Sequence, residues 1–265
     1  MTADALNISS DNVSAAWGRA ILHLISPGVD EVSPLVLTVH LRANSSFERE
    51  TVRKAFDDAI LNLRSRHRKL QPCNTVANTI FPHSMWNPND PDAAKVFDRF
   101  ENAWPRIQRC ALNRRGSYFR RMTAFRARNG DKPVNQLKHV IDTYRGGNHR
   151  RSALQAAIFD PALDHNDSPR QLFPCLHQVA FTPVANEGLA ITGFYATQYV
   201  FDRGYGNYLG LCRLGAFMAK HMGLQLVRMT CVASVAKLGT PNKSELARLA
   251  DELKMLFETD ERKTS

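Results

Sequence analysis

The sequence predicts a single α+β domain. Its 265 residues, of which 43% are hydrophobic and 23% charged, supply enough apolar side chains for one large core. Predicted helices and strands follow one another without the regular strand–helix alternation of parallel α/β folds. The segment 208–222 is apolar nearly all round, which predicts a helix buried inside that core. These three observations favour one α+β domain with a buried helix at its centre.

Each element is predicted from apolar periodicity and from the residues that start and stop it. The predicted helices are 15–25, one capped by Ser46, 92–104, one from Asp131 to Gly146, 208–222, and one that starts at Thr240-Pro241. The predicted strands are 35–41, 154–159, 179–183, 189–195 and 226–235, of which the third and fourth form a hairpin through Asn186-Glu187-Gly188. We therefore expect a loose polar segment over 1–12, a domain over 13–240, and an amphipathic helix and tail over 241–265.

Charge and cysteine usage narrow the classes of partner and compartment. Thirty-five basic residues against 25 acidic ones give a net charge of +10, which favours an anionic partner such as a phosphorylated small molecule, a nucleic acid or an acidic protein. No apolar run is long enough for a membrane span, and the N-terminus lacks a secretory pattern. The five cysteines stand far apart without the close spacing of a zinc site. We expect a cytoplasmic protein with reduced thiols, no metal and no membrane contact.

The segment 106–128 is rich in arginine and contains no acidic residue. It also carries Tyr118, Phe119 and Phe125, and arginines interleaved with aromatic rings are typical of RNA-binding surfaces. The same residues can instead line a pocket for one phosphate, or form an ordinary solvated basic face.

Three local patterns stand in a definite order in the second half of the chain. Arg150-Arg151 precede a predicted strand that ends in Phe159-Asp160-Pro161, and Phe173-Pro174-Cys175-Leu176-His177 precedes the hairpin. Asn207 follows Cys175 by 32 residues and stands at the start of the buried helix. In this order the patterns resemble the thymidylate synthase and pyrimidine nucleotide hydroxymethylase superfamily. The upstream motifs that extend the resemblance to residues 116–240 are Gly116-Ser117-Tyr118-Phe119 and Asn135-Gln136-Leu137.

The resemblance implies a fold, an assembly and a reaction. The implied fold is a mixed sheet with a buried central helix, and two copies pack sheet to sheet as a homodimer. Cys175 is implied as the nucleophile that adds to C6 of a pyrimidine nucleotide, so that C5 accepts a methyl or hydroxymethyl group from 5,10-methylenetetrahydrofolate. The implied substrate contacts are Arg150 and Arg151 across the dimer interface on the phosphate, Asn207 on the base edge, and Gln198, Thr197 and Tyr195 in the pocket.

These residue types suit that chemistry, and each has a simpler interpretation. A reactive thiolate near neutral pH requires cationic neighbours, although a lone Cys175 is also compatible with a buried structural thiol. Arg150 and Arg151 are suited to bidentate hydrogen bonds with a phosphate. They are equally compatible with ordinary solvent-exposed residues after the end of a helix. Asn207 offers a donor and an acceptor to a base edge, and it is equally suited to cap a helix that starts at Tyr208.

A histidine stands where the family has the glutamate of a Glu-x-x-Trp motif. The local sequence is His83-Ser84-Met85-Trp86, and an imidazole can move protons near neutral pH. His83 is therefore a candidate catalytic residue. The alternative is an exposed loop histidine beside Pro82.

The chain departs from the family at several contacts. Ala196 and Tyr199 replace an arginine and an aspartate, while Thr197 can still hydrogen-bond a phosphate. The stretch 234–238 lacks the family's His-x-Tyr, and no arginine occurs in the loop 26–33. The last 26 residues read as a helix instead of the tail that closes over folate, so the use of folate is left open.

Three functions therefore compete at this point. The first is one-carbon transfer to C5 of a pyrimidine nucleotide. The second is the same scaffold and thiol acting without folate on another substrate, such as a modified nucleotide of secondary metabolism or a nonnucleotide. The third is a nucleic-acid-binding module that uses Arg109 to Arg128 together with Tyr118 and Phe119.

Overall fold

The computed structural model confirms a mixed α+β architecture built on one open sheet. The structure describes residues 4–42, 45–113, 116–126, 132–147, 150–167, 174–185 and 187–264, with the side chains of Leu112 and 260–264 left aside. Parts of several predicted features lie outside the described residues: Arg114 and Arg128 of the basic segment, Asp131, Phe173 and Asn186.

The elements follow one another in the predicted mixed order. The strands are β1 (Leu6–Ser10), β2 (Glu31–Val32), β3 (Leu35–His40), β4 (Gln155–Ala157), β5 (Leu176–Val184), β6 (Gly188–Tyr199) and β7 (Leu226–Lys237). The helices are α1 (Val13–Ile25), α2 (Glu50–Leu63), α3 (Cys73–Ile80), α4 (Ala94–Ile107), α5 (Tyr118–Thr123), α6 (Gln136–Arg145), α7 (Pro161–Asp164), α8 (Tyr205–Met222) and α9 (Ala247–Thr264).

The strands form one sheet in the order β1-β3-β7-β6-β5-β4, and β2 pairs with β7. The pairs β1–β3 and β6–β7 are parallel, whereas β5–β6 and β3–β7 are antiparallel, so the sheet is mixed. The predicted hairpin is confirmed as β5–β6, in which Val179 lies opposite Gly193.

The two faces of the sheet differ in exposure. On one face Leu37, Ile191 and Cys231 are at most 1% exposed and belong to the core. On the other face Thr38, Thr192 and Thr230 are partly exposed, and Phe194 is 40% exposed. The sequence alternation of apolar and polar residues thus leaves one side of the central strands open to solvent in a single chain.

Helix α8 is the predicted buried helix, and it lies across the covered face of the sheet. A Cβ atom at Gly206 would lie 2.5 Å from Cβ of Val76, and one at Gly215 would lie 2.7 Å from Cδ1 of Leu226. These glycines therefore let α3 and β7 approach the helix backbone closely. No helix in the described ranges is both long and apolar enough to cross a membrane.

Helix α9 packs on α1 and α2 through the predicted stripe, of which Leu246, Leu249 and Leu253 are buried. It begins later than predicted. Thr240 donates from its backbone N–H and its hydroxyl to the carboxylate of Asp202, at 2.9 and 2.5 Å. These two bonds hold residue 240 in a loop against the end of β6.

Two predictions for the first fifty residues are corrected by the structure. Leu6–Ser10, within the segment expected to be loose, forms β1 and pairs with β3. Ile8 is buried there, at 8% exposure, so a single apolar side chain on one face secures the strand. Ser46 does not cap α2, because Arg49 occupies the cap position and the Ser46 hydroxyl instead accepts from Glu48 N–H at 3.2 Å.

Two further helix starts differ from the predicted ones. Asn207 is not a cap, since α8 begins at Tyr205 after a π-helical turn over Val200–Gly204. Helix α6 begins at Gln136 instead of near Lys132, because Asn135 caps it by accepting from Lys138 N–H at 2.9 Å.

Two fully buried tyrosines provide a matched test of hydrogen bonding in the core. Tyr208 donates to Oε1 of the buried Gln198 at 2.6 Å, whereas the hydroxyl of Tyr195 has no partner among the described residues. Tyr208→Phe should lower the free energy of unfolding by about 1–3 kcal/mol, because it leaves a buried amide oxygen unsatisfied. Tyr195→Phe should change it by less than about 0.5 kcal/mol. Urea unfolding of both variants checks this, and equal losses would contradict the assignment.

Candidate active site around Cys175

Cys175 lies immediately before β5, at the sheet end where β6 terminates. Its carbonyl oxygen accepts from the backbone N–H of Ala196 at 3.1 Å, and the next residue, Leu176, lies opposite Tyr195. The side chain of Cys175 is partly buried. The hairpin predicted from sequence thus places the thiol at a strand end, beside the last residues of β6.

Two phenols lie close to this thiol. The backbone amides of Cys175 and Leu176 hydrogen-bond the phenol oxygen of Tyr118, which comes from the start of α5. Burial raises the pKa of Tyr118, so its hydroxyl stays protonated. Tyr195 is 0% exposed and interacts electrostatically with Cys231, Tyr118 and Tyr208, and least with Cys175. Its hydroxyl has no hydrogen-bond partner among the described residues.

The charged group that acts on Cys175 is Arg203, in the π-helical turn between β6 and α8. Arg203 is partly buried, and its positive charge also acts on Tyr118. In the part of the chain that the structure describes, no carboxylate lies within salt-bridge distance of this guanidinium. A cation with this placement favours an anion at or beside the sulfur.

The pKa of the Cys175 thiol contradicts the expected lowering. Burial raises it, and the charge of Arg203 opposes that rise. Burial also raises the pKa of Cys73 and of Cys231 to about 12, and it raises the pKa of Cys212. Cys110 is the exposed thiol. Cys175 is therefore distinguished from the three buried cysteines by its partial access to solvent.

The predicted pocket residues on β6 and α8 are brought to the same end of the sheet but differ in what they contact. Gln198 is 2% exposed, and its amide accepts from Tyr208 and donates to Cys231 Sγ at 3.7 Å, so both of its ends bind protein groups. Thr197 is partly exposed and lies opposite Val235. Asn207 is buried, at 4% exposure, in the first turn of α8.

His83 lies in a short 3₁₀ turn after α3 and is exposed. Its ring centroid is 6.0 Å from that of Trp86 and 6.4 Å from that of Phe81. Partial burial of the ring and the charge of Arg213 lower the pKa of His83, which keeps the imidazole neutral near pH 7. The ring contacts that the structure gives His83 are thus with its chain neighbours Phe81 and Trp86, and they do not include Cys175.

Arg150 and Arg151 are both exposed and lie before β4 at the sheet edge. The carbonyl of Leu154 accepts from Phe181 N–H at 2.8 Å, and β4 runs antiparallel to β5. The two arginines precede Leu154, so they lie farther from Cys175 than Phe181 does. Phe181 follows Cys175 by six residues of strand, which corresponds to roughly 20 Å. The arginine pair and Cys175 of one chain are therefore not brought together.

Two arginines of the segment 106–128 form ion pairs within the fold. Arg121 makes a bidentate ion pair with the buried Asp164, at 3.1 and 3.0 Å. Arg120 pairs with Glu101 and lies 5.4 Å from the centroid of the Trp104 ring. Phe119 is 0% exposed, so its ring is not available to stack on a base. Phe119 therefore cannot be one of the base-stacking residues of the RNA-binding hypothesis.

Sequence reasoning missed Arg203 altogether. Arg203 lies between Cys175 and Asn207 in the sequence. In this interval the resemblance led us to expect an arginine, and Ala196 stands at the expected position. A search of the same interval for another cation would have found Arg203. Within the described ranges, no group of three or more His, Cys, Asp or Glu side chains has the arrangement of a metal site.

No protein-family model matches the chain, and no curated protein matches it. The functional conclusion consequently depends on the geometry around Cys175 and on the ordered motifs.

Proposed function

We propose that the protein is a thymidylate-synthase-like transferase that adds a one-carbon group to C5 of a pyrimidine nucleotide through a Cys175 adduct. The observation that carries the proposal is the placement of Cys175. The sulfur is partly buried at a strand end, the charge of Arg203 favours its ionised form, and the backbone amides of Cys175 and Leu176 bind the phenol oxygen of Tyr118. A partly accessible thiol with a cation acting on it and a phenol held at its backbone is suited to react with a polar ligand.

In the proposed reaction the sulfur lone pair forms a bond to C6, and the C5–C6 π electrons move onto C5 and the ring carbonyl. C5 then attacks a donor carbon at the formaldehyde oxidation level, and loss of the C5 proton with expulsion of the thiolate restores the ring. Without a donor, C5 takes a proton from water and the addition reverses. The donor-free enzyme should therefore exchange the C5 hydrogen with solvent, and this exchange tests the addition of Cys175 without any one-carbon donor.

The remaining predicted residues take supporting roles in this proposal. Asn207, buried at the start of α8, contacts the N3–O4 edge of the base. His83 accepts or returns a proton, since its lowered pKa keeps the ring neutral. Thr197 and Tyr195 supply hydroxyl groups to the pocket, and Gln198 positions Tyr208 within its wall.

We further propose a homodimer that forms through the open face of the sheet. Phe194 is 40% exposed on that face, where a second sheet would cover it. Arg150 and Arg151, remote from Cys175 in their own chain, would then bind the phosphate in the site of the other copy. A cytoplasmic location accompanies the proposal, because the described cysteines are all free thiols.

Residues 247–264 form α9, which packs on α1 and α2 through buried leucines. The described residues show no group that identifies a folate site, and we derive no step through 5,10-methylenetetrahydrofolate. The donor in the proposal is defined only by its chemistry.

Differential alkylation with a nucleotide screen tests the proposed function. A Cys110→Ser background removes the exposed thiol, and a brief iodoacetamide pulse should then label Cys175 before Cys73, Cys212 and Cys231, which are buried. Uridylate, cytidylate and their deoxy forms are screened for binding with and without methylenetetrahydrofolate. The nucleotide that binds should protect Cys175 from the reagent.

The same assay separates the competing functions. Binding of a nucleotide without protection of Cys175 would contradict the proposal, and binding of none of the four would favour a different substrate for the same thiol. Binding of RNA with a steep salt dependence would favour the nucleic-acid module, because each neutralised phosphate releases a counterion.

A further inference from the structure

The loop 82–93, which joins α3 to α4, packs against the C-terminal half of α8. The indole ring of Trp86 in this loop lies 5.8 Å from the ring of Phe217 on α8, in an edge-to-face arrangement. On its other side the loop is held by α4, because Arg99 donates to the carbonyl of Met85 at 2.7 Å. The loop therefore lies between two helices, and aromatic rings make much of its contact with α8.

His221, in the last turn of α8, is a buried polar side chain at this contact. It is 2% exposed, and its ring centroid lies 4.7 Å from that of Phe217. The backbone of Pro91 in the loop hydrogen-bonds the imidazole, and because proline has no N–H, its carbonyl accepts and the imidazole donates. Nε2 of His221 is buried and has no hydrogen-bond partner within the described ranges. A neutral imidazole fits this arrangement, because only one of its two nitrogens carries a proton.

The surroundings of His221 disfavour a second proton on the ring. That proton would bring a positive charge and an unsatisfied N–H group into a site enclosed by aromatic rings. Lys220 of α8 and Arg145 of α6 oppose the charged imidazole, whereas Asp92 of the loop and the C-terminal end of α8 favour it. Burial has the largest influence and lowers the pKa of His221, so the ring is neutral near pH 7.

We propose that His221 is a pH-sensitive switch that keeps the loop 82–93 docked on α8 while its imidazole is neutral and releases the loop when the imidazole is protonated. Once the loop is released, water reaches the ring and the pKa of His221 returns to its ordinary value of about 6.5. The released state then binds more protons than the docked state, so docking weakens as the pH falls below about 6.5.

This switch goes beyond the proposed function and does not depend on it. The loop that His221 holds also carries His83, so acidification would move that imidazole whichever reaction it serves. Trp86 would move with it, because both side chains belong to the same short segment.

Hydrogen exchange of the loop amides at different pH values tests the switch. The amides of Met85, Trp86 and Asp90 are hydrogen-bonded within the loop, so they become exchangeable when it opens. After correction for intrinsic exchange, the peptide over 82–93 should exchange at least about threefold faster at pH 5.5 than at pH 7.5, since one proton allows at most about tenfold per pH unit. Exchange in β6, at the centre of the sheet, should not accelerate in step.

His221→Gln should abolish this pH dependence, because its amide can still donate to the Pro91 carbonyl but does not titrate. If that variant does not fold, His221→Phe keeps a ring against Phe217 and likewise removes the titrating group. The matched control is His83→Gln, since His83 lies in the same loop with an exposed side chain. It should keep the wild-type response.

Three outcomes would overturn the inference. One is wild-type loop exchange that does not depend on pH over this range, and another is equal acceleration in β6, which would indicate global acid destabilisation. The third is a response that persists in the folded His221 variant, whether or not His83→Gln removes it.

Discussion

Replacing Arg150 and Arg151 together by alanine should weaken nucleotide binding by at least about a hundredfold, because each charge-assisted hydrogen bond to phosphate contributes roughly 1.5–3 kcal/mol. Both side chains are exposed in the single chain, so the free energy of unfolding should stay within about 0.5 kcal/mol of wild type. Calorimetric titration measures the affinity. Arg145→Ala, an exposed arginine at the end of α6, is the control and should bind normally.

Subunit mixing tests whether the arginine pair serves the other copy. The Arg150→Ala/Arg151→Ala protein and the Cys175→Ser protein should each be inactive in C5 hydrogen exchange. After random exchange of subunits, half of the dimers are mixed and each has one complete site of two, so about a quarter of the wild-type rate should return. A mixture that forms mixed dimers but stays inactive would contradict the shared site.

Replacing Cys175 by serine should lower the rate of C5 hydrogen exchange by at least about a thousandfold. A hydroxyl at its ordinary pKa provides almost no alkoxide near neutral pH, so it cannot add to C6 at a useful rate. The substitution is close to isosteric at a partly buried position, and nucleotide binding should therefore persist. Proton NMR of the nucleotide in heavy water measures the exchange rate, and calorimetry measures the affinity.

Cys231→Ser is the matched control for a buried structural thiol. Cys231 is 1% exposed and accepts from Nε2 of Gln198. Its substitution should reduce stability while the folded protein keeps its exchange rate. If Cys231→Ser abolishes exchange and Cys175→Ser does not, the nucleophile has been assigned to the wrong cysteine.

The parts of the fold that sequence predicted well are those with a strong local pattern. Helix α8 is apolar nearly all round, and the β5–β6 hairpin combines two apolar runs with a turn at Glu187-Gly188. The position of Cys175 at a strand end follows directly from that hairpin. Such features depend on contacts between residues that are close in the chain, so they are visible in a single sequence.

The elements that were missed depend on distant partners. Strand β1 has one buried apolar residue, Ile8, and exists because it pairs with β3 about 30 residues later. Helix α3, with the sequence CNTVANTI, has weak helix propensity and is stabilised by its packing on α8. The position of Arg203 was also invisible, because it depends on the π-helical turn over Val200–Gly204, which has no local sequence pattern that we recognised.

The most direct test of the account is C5 hydrogen exchange in heavy water, catalysed by the wild-type protein without any one-carbon donor. Uridylate, cytidylate and their deoxy forms are each followed by proton NMR. We predict that the H5 signal of the nucleotide that binds is lost, while its H6 doublet collapses to a singlet, because reversible addition of Cys175 to C6 makes C5 basic. A protein that binds one of these nucleotides and leaves its H5 signal intact would contradict the central claim.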